Sequence, residues 1–204
     1  MRRSEQGKSG GRAPAAWLFA VLMLAGLTSA SAAKWRVARG PSAVGFKVSH
    51  LVFSSVEGRF THFAGTVELP GEDLEEARIE AEIEVASIYT GHQDRDRHLV
   101  SDEFLHAADF PRIRFASRSV RRTGPETYEI VGALTIRGVT REIVLAAESA
   151  GRRETAAGPR LDFRATGSLD RRDYGLVWNR IWNGRAVLGD RVEITLEIAL
   201  LAGG

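Results

Sequence analysis

Arg78-Ile79-Glu80-Ala81-Glu82-Ile83-Glu84-Val85-Ala86-Ser87-Ile88-Tyr89 is the stretch whose reading decides the fold. Ile79, Ala81, Ile83 and Val85 fall on one side of an extended chain, and Glu80, Glu82 and Glu84 on the other. A helical period would mix the two sets, whereas a strand separates them. The segment is therefore a strand with one dry face and one wet face.

The same rhythm spreads in both directions. Towards the N-terminus, Trp35 to Ala38 reads as a first strand. After a turn at Pro41-Ser42, Val44, Phe46, Val48 and His50 alternate with small or polar residues, and Val52-Phe53 extend the apolar side. Glu57-Gly58 reads as a bend before Phe60, Phe63, Gly65, Val67 and Leu69. Pro70-Gly71 opens an acidic loop in which Leu74 anchors a helical turn. Towards the C-terminus, Ile113-Phe115-Ser117 and Tyr128-Ile130-Gly132-Leu134-Ile136 alternate on either side of Thr123-Gly124-Pro125-Glu126. Gly138 bends the chain into Val139, Arg141, Ile143 and Leu145. A loop from Gly151 to Pro159 precedes Leu161, Phe163, Ala165, Gly167 and Leu169, and Val192 to Leu200 is the last strand.

Strands joined by turns, almost without crossover helices, make an antiparallel sheet. About eight such strands close best into a barrel, because closure removes unpaired edges. The predicted fold class is all-β, an antiparallel barrel, with a sandwich as the competing arrangement. The inward set combines Phe46, Val48, Phe60, Phe63, Ile83, Phe115, Ile130, Leu134 and Phe163 with the small residues Gly132, Gly167, Ala81 and Ala165. Such an interior either leaves room for one slender ligand or interlocks into a solid core. The residues alone favour neither.

His92 to Phe115 departs from the alternation and holds three of the five histidines. Ser101 is placed to cap a short helix, with Asp102 and Glu103 in its first turn and Phe104 and Leu105 facing inward. Pro111 ends any helix. The segment, helical around residues 92–108, reads as a cover over one end of the barrel. Arg95, Asp96, His98 and Ser101 are the candidate polar lid.

Residues 1–32 read as a leader. Arg2, Arg3, Lys8 and Arg12 precede an apolar run from Ala13 to Leu27, and Ala30-Ser31-Ala32 offers a signal-cleavage site. The run, roughly 15 residues, is short of the ~20 needed to span a bilayer. The expectation is a mature domain of residues 33–204 in the periplasm or secreted. The leader holds four basic residues and one acid, so totals of 28 and 26 fall to 24 and 25 in the mature chain. Nucleic acid is then not an expected partner. The chain has no cysteine, which excludes disulfides, thiolate metal sites and a cysteine nucleophile.

No pattern for catalysis emerges. His92, His98 and His106 lack the i, i+4 spacing of a helical zinc pair, although Asp94, Asp96, Asp102 and Glu103 lie nearby. Hydrogen-bonded loop residues account for them better than a metal, and no cofactor is expected. There is no Gly-x-Ser-x-Gly elbow. Arg121-Arg122, Arg152-Arg153 and Arg171-Arg172 are basic doublets assigned to loops. They read as a solvated face, with a transient membrane-surface contact as the alternative.

Arg95-Asp96-x-His98-Leu99-x-Ser101-x-Glu103-Phe104 followed by Phe110-Pro111-x-Ile113-x-Phe115 resembles the hallmark of the YceI-like, polyisoprenoid-binding family. Phe46-x-Val48-x-His50, Gly58-Arg59-Phe60, Ala86-Ser87-Ile88-x-Thr90, Gly132-x-Leu134-Thr135-Ile136 and Arg172-Asp173-Tyr174-Gly175-Leu176-x-Trp178-Asn179 are similar to further blocks, in order, from Trp35 to Leu201. The family often has an aspartate where Glu103 stands, an arginine where Val100 stands and an asparagine where Asp170 stands. The resemblance implies a lipocalin-like barrel holding a long-chain isoprenoid lipid or similar amphiphile. It supplies no settled catalytic residue, so the chain is expected not to be an enzyme. The expected pocket is Phe46, Val48, Phe60, Phe63, Ile83, Phe104, Phe115, Ile130, Gly132, Leu134, Phe163, Gly167 and Trp178. Two alternatives stay open, a metal- or quinone-linked accessory enzyme using residues 92–106 and a solid-cored module presenting its arginines to a partner; a homodimer is among the partners considered.

Overall fold

The computed structural model describes residues 33–50, 54–71, 73–182 and 185–203. The expected leader and the Val52-Phe53 continuation lie outside them. The described chain is an antiparallel meander that closes on itself. Strand β1 comprises Ala33–Val37 and Ala43–His50, β2 comprises Ser54–Phe60 and Phe63–Leu69, and β3 comprises Arg78–Glu84 and Ile88–Tyr89. The remaining barrel strands are β4 (Arg112–Arg122), β5 (Thr127–Ile136), β6 (Val139–Thr155), β7 (Gly158–Asp170) and β8 (Leu188–Ala202), with a separate two-stranded ribbon, Ile181–Trp182 and Arg185–Ala186, between β7 and β8. Each pairs with the next, and β8 returns to β1 through Trp35 opposite Ala202 and Val44 opposite Leu196. This is the eight-stranded closed barrel expected from the alternation, and no edge runs along its wall.

The glutamate face of β3 points to water. Glu82 meets both Arg112 and Arg114 of β4 at 2.9 Å, Arg164–Glu197 bridges the paired β7 and β8, and Arg118–Glu142 reaches across β5 from β4 to β6. Exposed pairs of this kind add little stability each, but like charges opposed would disfavour any other register.

The breaks in β2 and β3 coincide. Thr61 N donates to Ser87 O at 3.1 Å and Glu84 N to His62 O at 2.9 Å, so the two strands bend together without losing their pairing. Glu57-Gly58, expected to be a bend, instead lies within an unbroken part of β2. The expected Gly151-to-Pro159 loop is also strand: β6 continues to Thr155 and turns directly into β7. Gly151, at φ +87°, sits where the register slips between Leu161 and Phe163, and so marks a β-bulge. Arg121-Arg122 and Arg152-Arg153 are accordingly on strands and not in loops.

The two ends differ. One is packed by Trp35, Val67, Leu69, Val120, Tyr128 and Leu200 and closed by a 3-10 turn, Leu74–Glu76. The other is covered by helix α1 (Gln93–Val100), the chain that follows it, and a 3-10 turn at Arg171–Tyr174. Ser101 stands at the end of α1 and not at its start. His92 takes the N-cap, its Nδ1 accepting from Arg95 N at 3.4 Å, while Ser101 Oγ donates back to His98 O at 2.8 Å. Asp94 and Asp96 occupy the first turn, where the helix dipole favours them. Phe104 and Leu105 are buried, as expected for the inner side of the lid.

Candidate functional site

The barrel is hollow. Its lumen is a cavity of about 860 Å³ that runs from the 3-10 turn at Leu74 to the lid and is walled by strand residues of both ends. A volume of this size lies within the range of small-molecule sites. The open question between a slender cavity and a solid core is thereby decided for the cavity.

Of the expected pocket residues, Phe46, Val48, Phe60, Phe63, Ile83, Phe104, Phe115, Ile130, Leu134, Phe163 and Trp178 line it. Gly132 and Gly167 do not. A Cβ on Gly132 would lie 2.4 Å from the Phe115 ring and 2.8 Å from Ala116 O, and one on Gly167 would lie 2.6 Å from a Leu145 methyl. Gly58, directly opposite Phe46, is covered in the same way by the Phe46 ring. These glycines are seats. Each lets a bulky cross-strand neighbour lie flat against the wall, and the lumen gains room indirectly. Gly45 and Gly65 are the glycines that border the lumen itself.

Ionisable residues border the cavity mainly around the lid end: His50 at the end of β1, Asp94, Arg95 and His98 of α1, and Arg171 and Arg180, while Glu80 borders it from the side wall with its side chain exposed. Arg95 is fixed by Thr90: its Nε donates to Thr90 Oγ1 and an Nη to Thr90 O, both at 2.8 Å. Asp96 turns away from the cavity to accept from Thr90 N at 2.9 Å. His98 sits edge-on between Phe104 and Trp178, with ring centroids 5.0 and 4.7 Å away. Its Nε2 is 2.5 Å from Glu103 Oε2. The carboxylate partner of His98 is Glu103, and Ser101 touches only its backbone. This aromatic trio joins α1 to the chain after β7, so the lid is one packed unit.

Arg171 was assigned with Arg172 to a solvated face, but its side chain is only 4% exposed. It donates to Gly189 O at 2.9 Å, to Leu176 O, to Trp178 O at 2.9 Å and to Asp190 Oδ1 at 3.0 Å. Burial pulls its pKa down, and Asp190 opposes that. Arg172 stays outside and pairs with Asp170, whose carboxyl is lowered to about 2 by hydrogen bonds from the Arg172 side chain and backbone. Asn179 completes the frame: Nδ2 donates to Leu188 O at 2.7 Å, and Oδ1 accepts from Val187 N and Leu188 N. Nothing distinguishes the two arginines in sequence. The 3-10 turn sends one inward and the other outward.

Among the described residues no three of His, Cys, Asp and Glu stand close enough to hold a metal. The accessory-enzyme alternative gains no support from that arrangement.

A closed antiparallel meander with an apolar lumen and a polar lid defines a lipocalin-like hollow barrel. The model of the YceI-like domain matches residues 35–200, and the chain belongs to that family. It is 37% identical to a UPF0312 protein of Pseudomonas savastanoi pv. phaseolicola over 134 residues, 65% of this chain and 70% of the relative. Among solved structures it is similar to Burkholderia cenocepacia BcnA (TM-score 0.70, 20% identity, 80% of this chain and 98% of that one). The Campylobacter jejuni YceI protein gives a TM-score of 0.65 at 26% identity, covering 76% and 90%. A polyisoprenoid-binding domain from Saccharophagus degradans gives 0.63 at 15% identity, covering 83% and 98%.

Proposed function

We propose that this chain is an exported binding protein, not an enzyme, that holds one long-chain isoprenoid amphiphile with its tail in the lumen and its head at the lid. The observation that carries the reading is the cavity of about 860 Å³, apolar along its length and polar at the lid. A long hydrocarbon tail costs ~0.8 kcal/mol per methylene exposed to water. An apolar tunnel recovers that energy with no chemistry, and water held there would find few hydrogen-bond partners. Arg95 and His98 stand where a phenol, quinone or phosphate head would meet the lid. The polyisoprenoid-binding domain of S. degradans supports the reading through its shared fold. Its site of action is the periplasm or the exterior, reached through the leader read in residues 1–32.

The test is a titration of delipidated protein with a long-chain polyprenol and with a fatty acid of equal carbon number, read by intrinsic tryptophan fluorescence. Saturable uptake of the polyprenol at one molecule per barrel is expected, with weaker uptake of the fatty acid. Absence of saturable uptake of either would remove the carrier reading.

A further inference from the structure

The chain leaving β7 carries a second feature that the carrier reading does not use. Leu176-Val177-Trp178 alternates across the rim of the lid. Leu176 is buried, Trp178 lines the cavity, and Val177 between them is 69% exposed. Ile181, on the outer side of the same segment, is 65% exposed. They are the two most exposed large hydrophobic residues among those described, and they lie on one segment at the lid end of the barrel. The backbone carrying Val177 is held by the frame: Arg171 binds the carbonyls of Leu176 and Trp178, and Asn179 ties the segment to β8, while Ile181 pairs with Ala186 in a short two-stranded ribbon.

The surroundings point to the occupant. Arg180, between Val177 and Ile181, is exposed and also borders the cavity. Arg137 reaches the same rim, donating to Gly175 O at 3.2 Å and to Asp102 O at 2.9 Å. Among the described residues neither guanidinium has a carboxylate within 4.0 Å. Protruding apolar side chains beside uncompensated cations match a bilayer interface: the apolar groups enter the acyl boundary and the arginines meet anionic headgroups.

We infer that the Val177–Ile181 rim is a docking surface for an anionic phospholipid bilayer, which sets the cavity mouth against the membrane so that a tail passes between bilayer and lumen without crossing water. The inference rests on the carrier reading for its purpose but not for its measurement.

The experiment compares the wild-type protein, Val177→Ser/Ile181→Ser, and Val144→Ser. Val144 is 49% exposed on the outer wall of β6 and serves as control. Each is sedimented with vesicles of phosphatidylglycerol and phosphatidylcholine or of phosphatidylcholine alone. Transfer of a fluorescent polyprenol between vesicles is followed in parallel. Wild type and control are expected to bind the anionic vesicles and to transfer the probe at rates that rise with vesicle concentration. The double variant should lose about tenfold or more in both while melting like wild type and taking up detergent-dispersed polyprenol normally. Vesicle binding unaffected by the double variant, or absent from the wild type, overturns the inference. So does a wild-type dimer that the double variant dissociates without any vesicle binding, which would assign the rim to a second copy of the chain. Vesicle binding through the rim in a protein that takes up no polyprenol would sustain the docking surface and remove the carrier reading alone.

Discussion

Replacing Arg171 by Met removes a buried cation that no other residue substitutes. The guanidinium holds three backbone carbonyls, from Gly189, Leu176 and Trp178, and the Asp190 carboxylate. Methionine refills much of the apolar stem, so the loss is mainly electrostatic. Asp190 is 38% exposed and keeps Arg172 at 3.2 Å, which relieves the carboxylate. The carbonyls have no such reserve, and an unmet buried acceptor costs about 1–3 kcal/mol. The carboxylate stays solvated and paired, so no charge is stranded in the interior, and the expected loss of about 1–3 kcal/mol comes from the carbonyls. Arg171→Lys should recover only part, because one compact ammonium cannot span acceptors spread around a planar fork. Urea unfolding of all three proteins measures the loss, and amide exchange at residues 175–181 shows whether the rim has been released. A loss below ~1 kcal/mol with those amides still protected would refute the argument that Arg171 builds the lid frame.

Gly132→Ala should push the Phe115 ring off its seat and strain Ala116, costing about 1–3 kcal/mol and reducing polyprenol uptake; wild-type thermal stability would contradict this. Asp170 has its carboxyl lowered to about 2, so the unfolded chain binds more protons below the ordinary value near ~3.9. Its contribution is therefore fully present above about pH 4 and lost as pH falls towards 2, and Asp170→Asn should flatten the stability profile over that window. His98→Ala removes the Glu103 partner and the aromatic contacts with Phe104 and Trp178. It should cost on the order of 1–3 kcal/mol and speed release of bound polyprenol in stopped-flow, and an unchanged release rate would count against a lid role.

Period-two alternation made the wall legible. Ile79, Ala81 and Ile83 against Glu80, Glu82 and Glu84 state which face is wet, and a barrel turns that statement into inside and outside. The lining residues followed because phase fixes direction. Phase does not say what already occupies the space above a residue. Gly132 points inward as read, but the ring over it comes from Phe115 on the next strand, and that diagonal depends on register. Gly151 was read as a loop because a bulge and a turn both favour a left-handed glycine. The lid was hardest. Ser101 followed by two acids reads equally well as the start of a helix or the end of one, and the outcome was decided by His92 capping the preceding turn. Arg171 and Arg172 are chemically identical, and only the turn that follows β7 separates them.

The central claim is that the lumen carries an isoprenoid tail, and the most direct measurement is mass spectrometry of the organic extract of the natively purified protein. A long-chain isoprenoid at close to one molecule per barrel is expected, and it should be lost when a lumen-filling substitution such as Ala165→Phe is made in a protein that still folds. An extract free of lipid, from a barrel that also takes up no added polyprenol, would contradict the account.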